Sequence, residues 1–314
     1  MITEKQKQQR TLGLFSSDAP RLMMGEGVQL WLEKTGQVEP ENLDDNPRVQ
    51  LGNVLESVIL MAASTTLDKV VLSPPNTFYH PEHSRLGAHL DGVVNDEPTV
   101  VEAKAVSAYI KDREGWGEPG TDEVPDKVIW QVQHQLLVTG FTKAVIPVAF
   151  ISEKNLVEYL TTMRLPVDLY YIPESPALQE KLLDAELEFI RYWDEGAPPP
   201  AQVVGDARLL YGKDDGSAME APEELLQWYH ELMAAQHKVK AYEKVEAAAK
   251  EEIQRAMKTA TELHGFGQTL VTWKNNKPTK RFDLDAFKKA HPDLHKQFLT
   301  EEPGSRVFLT KEIK

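Results

Sequence analysis

The sequence contains no cysteine. That excludes disulfides, cysteine nucleophiles, thiolate zinc sites and cysteine-bound iron–sulfur clusters. Long hydrophobic runs are missing as well: "VILMAA" (58–63) and "AVIPVAFI" (144–151) fall far short of a bilayer span. The opening "MITEKQKQQR" has no apolar signal core, so the expectation is a soluble, unexported chain with no membrane partner. No internal repeat is visible. What is present is enough apolar residue, 41% of 314, to bury a real core in one large domain or two smaller ones. The net charge of −14 argues against indiscriminate adhesion to nucleic acid. It is unevenly spread: residues 264–314 hold 10 Lys/Arg against 6 Asp/Glu, or +4, leaving −18 on residues 1–263. Any nucleic-acid contact by the acidic part must use a few placed cations, or a metal.

Residues 1–197 read as mixed α/β. Spacing predicts helices near 17–35, 47–64, 125–139 and 176–195, and strands near 68–72, 87–94, 99–105, 144–151 and 156–172. Pro125 and Pro176 open helices that stop before Gly140 and Gly196, the proline-in, glycine-out asymmetry. The proline run "GAPPPAQ" (196–202) predicts a linker over 198–221. Residues 222–314 then form a C-terminal extension. Apolar residues from Leu225 to Met257 recur at three- and four-residue spacing, predicting one helix of about ten turns, a packed helix or a coiled-coil arm. A hairpin with a basic turn and a short helix broken near Pro292 are expected after it.

The stretch "LGAHLDGVVNDEPTVVEAK" (86–104) carries the chemistry. If "NDEP" closes an antiparallel pair, Val94 faces Thr99, Val93 faces Val100, Asp91 faces Glu102 and His89 faces Lys104. Facing residues share one side of a sheet, and strand periodicity adds Lys104 to the side of Glu102. Two carboxylates face to face repel unless a cation or a proton lies between them. Oxygen ligands without cysteine favour Mg²⁺ or Mn²⁺ over zinc. Such an ion beside a lysine suits phosphodiester hydrolysis. A solvated strand face is the plain alternative, because a Glu-x-Lys triplet also occurs at 312–314.

Three further segments bear on that choice. "VQLGNVLESVI" (49–59) places Glu56 one helical turn after Gly52, where a glycine would let another backbone approach. "VIWQVQHQLLVTG" (128–140) puts Gln131 and Gln135 on one helix face. "RTLGLFSSDAPRLMMGEGVQLWLEKTG" (10–36) sets Arg10 and Ser17 just ahead of a helix, able to hold a phosphate, although Ser17 also reads as an ordinary N-cap.

These four segments, in this order, resemble the YqaJ-type viral recombinases, relatives of phage lambda exonuclease within the PD-(D/E)xK nuclease superfamily. The resemblance covers about residues 8–195. It implies a restriction-endonuclease-like α/β core with a central mixed β-sheet flanked by helices, here followed by the long helix and a small α+β extension. It implies Mg²⁺-dependent, processive 5′→3′ digestion of one strand of duplex DNA by a ring-shaped homo-oligomer, commonly a trimer. A single-strand annealing protein is the implied partner, and the cytoplasm of a bacterial host of phage or prophage the implied location. By the same resemblance Asp91, Glu102 and the backbone carbonyl of Ala103 hold the metal, and Glu56 supports it, directly or through water. Lys104 is the catalytic lysine and Gln131 aligns the water, with Gln133 and Gln135 as alternatives one helical step away. Arg10 and Ser17 take the 5′ phosphate. Leu90 stands where the family usually has proline.

Other residues invite readings of their own. His80, His83 and His89 suggest zinc, yet Pro81 blocks a continuous helix there and no i,i+4 histidine pair exists. His89 is instead placed beside the proposed centre as a substrate contact. Trp116 lies in a Gly-rich loop, bordering a DNA channel or anchoring the loop by packing. Lys274, Lys277, Lys280 and Arg281 are candidates for phosphate contact or a solvated turn. A DNA-end binding module with a degenerate nuclease core, and a structure-specific endonuclease of the same fold, are the rival functions.

Overall fold

The computed structural model describes residues 8–43, 45–301, 304 and 306–311. The chain forms two compact units, Met1–Tyr211 and Gly212–Lys314.

The first unit is organised by β8 (Lys143–Ile151), whose sequence KAVIPVAFI is buried along nearly its whole length. A strand buried on both faces reads as a continuous apolar run, and β8 does. Its residues Ile146, Val148 and Phe150 enter one core cluster, while Ala149 and Ile151 enter another. Alternation along the strand thus feeds two helical layers. On one face lies α5 (Asp126–Thr139), which also meets α1 (Asp18–Met23) and α7 (Pro176–Glu195). On the other lies α3 (Pro47–Leu67), N-capped by the Asn46 side chain, which accepts from Arg48 N–H at 3.0 Å. The expected mixed sheet between helices is what the chain builds.

Along one edge of β8 run β6 (Thr99–Val101) and β7 (Lys104–Ser107), both parallel to it. Both keep one register, Thr99 with Lys143 and Lys104 with Val148, so they are two halves of a single interrupted strand. On the other edge β9 (Asp168–Pro173) is antiparallel. Beyond β6 follow β5 (Gly92–Val94) and β2 (Val71–Leu72). A separate three-stranded sheet holds β1 (Leu14–Phe15), β4 (Leu86–Ala88) and β3 (Phe78–Tyr79), in the order β1–β4–β3.

Several boundaries differ from the sequence expectation. The single helix near 17–35 is two, α1 and α2 (Gly27–Lys34), separated where Gly25 adopts φ +91. The strand expected over 156–172 begins as a helix, α6 (Glu153–Thr162), because the Ser152 side chain caps it, accepting from Asn155 N–H at 3.2 Å. The strand 87–94 divides between the two sheets. Residues 198–211, read as linker, lie in the first unit, where the short helix α8 (Asp206–Leu210) packs on α2.

In the second unit α9 (Glu223–Met257) is the long helix the periodicity predicts. The hairpin is β10 (Glu262–Gly265) with β11 (Gln268–Thr272), turning at Phe266 and Gly267, both at positive φ as a two-residue turn requires. The basic stretch 274–281 is therefore not its turn. It is an exposed segment without regular structure, and Pro278 denies it a ladder. Then α10 (Leu284–Ala290) and α11 (Pro292–Gln297) meet at the expected break.

Candidate active site

The expected pairing of Val93 with Val100 is present, together with Gly92 against Val101. The ladder ends there, leaving Asp91 and Glu102 as the first residues beyond the paired ends of β5 and β6. The cause lies across the sheet. Glu102 N–H donates to Val145 O at 3.1 Å, so the next rung of a parallel ladder would run from residue 147 to the Glu102 carbonyl. Residue 147 is proline and has no N–H to give. The strand opens at Glu102–Ala103, and the Ala103 N–H turns to Asp91 Oδ2 at 2.9 Å. The two carboxylates reach one site through a broken strand rather than a continuous hairpin.

Glu102 is 3% exposed, and both its oxygens are engaged. Lys104 Nζ donates to Oε1 at 2.7 Å, Gln131 Nε2 to Oε1 at 2.5 Å and Gln135 Nε2 to Oε2 at 2.6 Å. Lys104 Nζ also donates to Gln131 Oε1 at 2.9 Å, closing a three-residue ring. Gln131 and Gln135 thus both reach Glu102. Gln133 does not: its amide donates to Pro173 O at 2.9 Å and accepts from Ser175 N–H at 3.0 Å, tying α5 to the start of α7.

The site's charge is sharply tuned. Burial pushes the Asp91 carboxyl well up, and the negative charges of Glu102 and then Glu56 push it further, against the pull of Lys104 and the Ala103 N–H. For Lys104 burial works downward, but Glu102 and Asp91 outweigh it, so the amine is held above the ordinary lysine value and stays charged. Glu56 comes from α3, half-buried one turn before Leu60. That helix approaches β5 closely because residue 92 is glycine: a Cβ there would meet Val71 Cγ1 at 2.8 Å and Leu60 Cδ2 at 3.1 Å. Gly52, the glycine expected to admit a neighbour, faces open space.

The donor set suits a hard divalent cation. It is all oxygen, and a buried Asp91 whose ionisation is opposed by burial, Glu102 and Glu56 is a group that such an ion would hold in its charged form. Among the described residues no three acidic or histidine side chains form a ready-made cage. One or two carboxylates with waters and substrate phosphate is the usual holding of Mg²⁺.

A second cluster adjoins this one through residues 89–91. The Arg10 guanidinium donates to Ser17 Oγ. Ser17 makes no side-chain cap to α1, so its hydroxyl serves Arg10 instead. Lys34 Nζ braces the loop, donating to Arg10 O at 2.7 Å, Gly13 O at 2.9 Å and Asp18 Oδ2 at 2.7 Å. His89 lies here, not opposite Lys104 as the hairpin register required. Its Nε2 is 3.1 Å from Thr77 Oγ1, and its ring stacks on Phe15 at 4.8 Å. Burial and then the nearby Arg10 charge lower its pKa.

The remaining candidates separate clearly. The His80 and His83 rings lie 4.9 Å apart, tilted by 33°, and the His80 Nδ1 accepts from the Glu82 and His83 N–H groups at 3.2 Å each, leaving no converging zinc set with His89 among the described residues. Trp116 is a packing anchor, buried against Phe150 and Tyr170. In the second unit Lys274 is paired with Glu262 at 2.5 Å, while Lys277, Lys280 and Arg281 are exposed and form no ion pair among the described residues. One buried pair escaped the sequence reading. His134 Nδ1 lies 2.6 Å from Glu186 Oε1 and its Nε2 lies 2.9 Å from Gly87 O. Nothing local marks it, since Glu186 arrives from a helix 52 residues along the chain.

Among the described residues no helix is long and apolar enough to cross a membrane. The "Uncharacterized protein YqaJ" of Bacillus subtilis (strain 168) is 25% identical over 297 residues, 91% of this chain and 85% of that one. Among solved structures, the alkaline exonuclease LHK-Exo of Laribacter hongkongensis is 16% identical, covers 62% of this chain and 94% of its own, and superposes with a TM-score of 0.48. A phage related exonuclease from Haemophilus somnus 129PT is 14% identical, with coverages of 57% and 81% and a TM-score of 0.40. The family model described as YqaJ-like viral recombinase domain matches residues 6–142, a span that contains Glu56, Asp91, Glu102, Lys104 and both site glutamines. Over that span the chain is similar to the YqaJ-like viral recombinase domain family.

Proposed function

We propose that the first unit is a Mg²⁺-dependent exonuclease, with Mn²⁺ able to substitute, that hydrolyses phosphodiester bonds from the ends of linear double-stranded DNA. The observation that carries this reading is the broken strand bringing Asp91, Glu102 and Lys104 together, with Lys104 Nζ 2.7 Å from Glu102 Oε1. The similarity of residues 6–142 to the YqaJ-like viral recombinase domain supports DNA as the substrate. Asp91, Glu102 and the Ala103 carbonyl would hold the cation, with Glu56 acting through water. When bound, the ion supplies a lowered water pKa and stabilises charge on the phosphoryl oxygen. Lys104, kept as an ammonium, faces that developing charge. Gln131 accepts from Lys104 and donates to Glu102, so it can orient an attacking water, and Gln135 fixes the far oxygen of Glu102.

Arg10, placed by Lys34 and Ser17, takes the terminal 5′ phosphate, with His89 beside it. Digestion then runs 5′→3′ and processively within a ring-shaped homo-oligomer, a trimer, leaving 3′ overhangs on which a single-strand annealing protein loads. Lys277, Lys280 and Arg281, with Lys274, add contacts to the DNA backbone. The setting is recombination of phage type in the cytoplasm of a bacterial host.

The test is digestion of duplex DNA labelled at the 5′ or the 3′ end, with Mg²⁺ and with EDTA. Loss of activity in Asp91→Ala, Glu102→Ala and Lys104→Ala, with folding intact, is expected; undiminished digestion by all three overturns the site. Release of 5′ label first is expected, and faster on phosphorylated ends. Cutting of a closed circle would reassign the protein as an endonuclease.

A further inference from the structure

The long helix α9 carries a seam that its own unit leaves open. Apolar residues alternate at spacings of three and four, from Leu225 through Trp228, Leu232, Ala235, Val239 and Tyr242 to Ala249, Ile253 and Ala256, with Glu246 as the one interruption. A 3.5-residue period marks a coiled-coil seam rather than a helix laid on a globular core. Near its start the helix is partly covered by the chain's C-terminal segment: Tyr229 Oη donates to Lys311 O at 2.6 Å and Thr310 Oγ1 to Gln236 Oε1 at 3.1 Å. Farther along the seam is bare, with Val239 55% and Tyr242 73% exposed.

We propose that residues 238–257 pair with the same residues of a second copy of this chain as an antiparallel two-helix coiled coil. Charge selects both the partner and its direction. In a parallel, in-register pair Glu246 meets Glu246 of the second copy inside the seam, where like charges are desolvated and repel. An antiparallel register sets Val239 against Ala256, Tyr242 against Ile253 and Glu246 against Ala249 of the second copy. Glu243 then faces Lys250 of the second copy, and by two-fold symmetry the pairing occurs twice. Glu246 already reaches Lys250 of its own helix at 2.5 Å, so the same amine neutralises the interruption in the seam. Sliding the helices to full overlap, Leu225 against Ala256, would put Glu231 opposite Glu252 and collide with the covering segment. A seam of about three heptads predicts concentration-dependent association rather than a permanent dimer. The inference is independent of whether the first unit cleaves DNA.

The absence of native cysteine makes the test clean. By analytical ultracentrifugation of the full chain, Glu243→Lys and Lys250→Glu should each weaken the association by about tenfold or more, and the double reversal should restore it. If the first unit assembles by itself, each single variant should halve the mass of the larger particle. Full chains bearing Tyr242→Cys and Ile253→Cys should form disulfide-linked dimers when mixed under mild oxidation, and neither should link to itself. Unchanged assembly in both single reversals overturns the proposal, as does self-linking of either single cysteine, which would report a parallel pair.

Discussion

His134 shows how far one residue's state can be read from geometry. Its two ring nitrogens face acceptors only, a Glu186 carboxylate oxygen and the Gly87 carbonyl. With an acceptor beside each nitrogen, the arrangement favours the imidazolium form. Burial opposes that charge, but Glu186, the Gly87 hydrogen bond and, more distantly, Asp18 raise the folded pKa above the ordinary histidine value; His80 is the other titratable ring in its field. The folded pKa therefore exceeds the unfolded one, about 6.5. Its contribution to stability is complete below that pH and disappears as pH rises through the folded pKa. His134→Gln should cost about 3–5 kcal/mol near pH 6, as for one broken buried pair. In urea titrations the gap from the parent chain should narrow as pH rises above the ordinary histidine range and through the folded pKa; a gap that stays constant with pH would show the ring to be neutral. The three glutamines of α5 divide in the same residue-by-residue way. Gln135→Leu leaves Glu102 Oε2 without its amide and should lower kcat by about 10²-fold through misplacement of that carboxylate. Gln133→Leu should cost about 1–3 kcal/mol of stability and leave kcat alone, because its partners are Pro173 and Ser175. Equal kinetic effects in both variants would remove Gln135 from the site.

At the scale of elements, the interrupted strand is the device that makes the site, and Pro147 is what interrupts it. Pro147→Ala supplies an N–H aimed at the Glu102 carbonyl. Closing that rung should protect the new amide from hydrogen exchange and gain about 0.5–1.5 kcal/mol, while drawing Glu102 and Ala103 into the ladder and slowing digestion. Fast exchange at residue 147 in the variant would show that the opening has another cause. The same element marks the boundary of what sequence could show. Val93 opposite Val100 was legible because a short loop and a period of two fix a local register. The break at Glu102–Ala103 was not, because its cause lies in another strand 44 residues along the chain. For a similar reason His89 was misplaced: β4 leaves the hairpin to join β1 and β3, a long-range pairing that alternation within 86–94 cannot reveal. Helix ends were legible wherever proline and glycine punctuated them, as at Pro176 and Gly196. The helix at 153–162 occupies the first part of a stretch expected as strand over 156–172, its start set by the Ser152 cap.

On the scale of the whole molecule, the balance of charge sets how DNA can be held. An acidic chain with net charge −14 gains little from diffuse attraction, so binding must come from a few placed cations, and its salt dependence should count them. Each phosphate contact contributes about 0.9 to the slope of log affinity against log salt on duplex DNA. The four basic residues of 274–281 are not equivalent in this respect. Lys274 is already neutralised by Glu262 at 2.5 Å and must break that pair before meeting a phosphate, whereas Lys277, Lys280 and Arg281 have no such competitor among the described residues. If this segment lies along the backbone, Lys277→Gln, Lys280→Gln and Arg281→Gln should each flatten the slope by about 0.9. Lys274→Gln should flatten it less. All four should weaken binding uniformly across sequences, since phosphate contacts carry no base readout. The measurement is equilibrium binding of a blunt duplex to the full chain between about 50 and 200 mM salt, with EDTA present to prevent digestion. Slopes unchanged in all four variants would remove this segment from the DNA interface, and Arg10→Gln should then flatten the slope by about 0.9 as the contact to the terminal phosphate is lost.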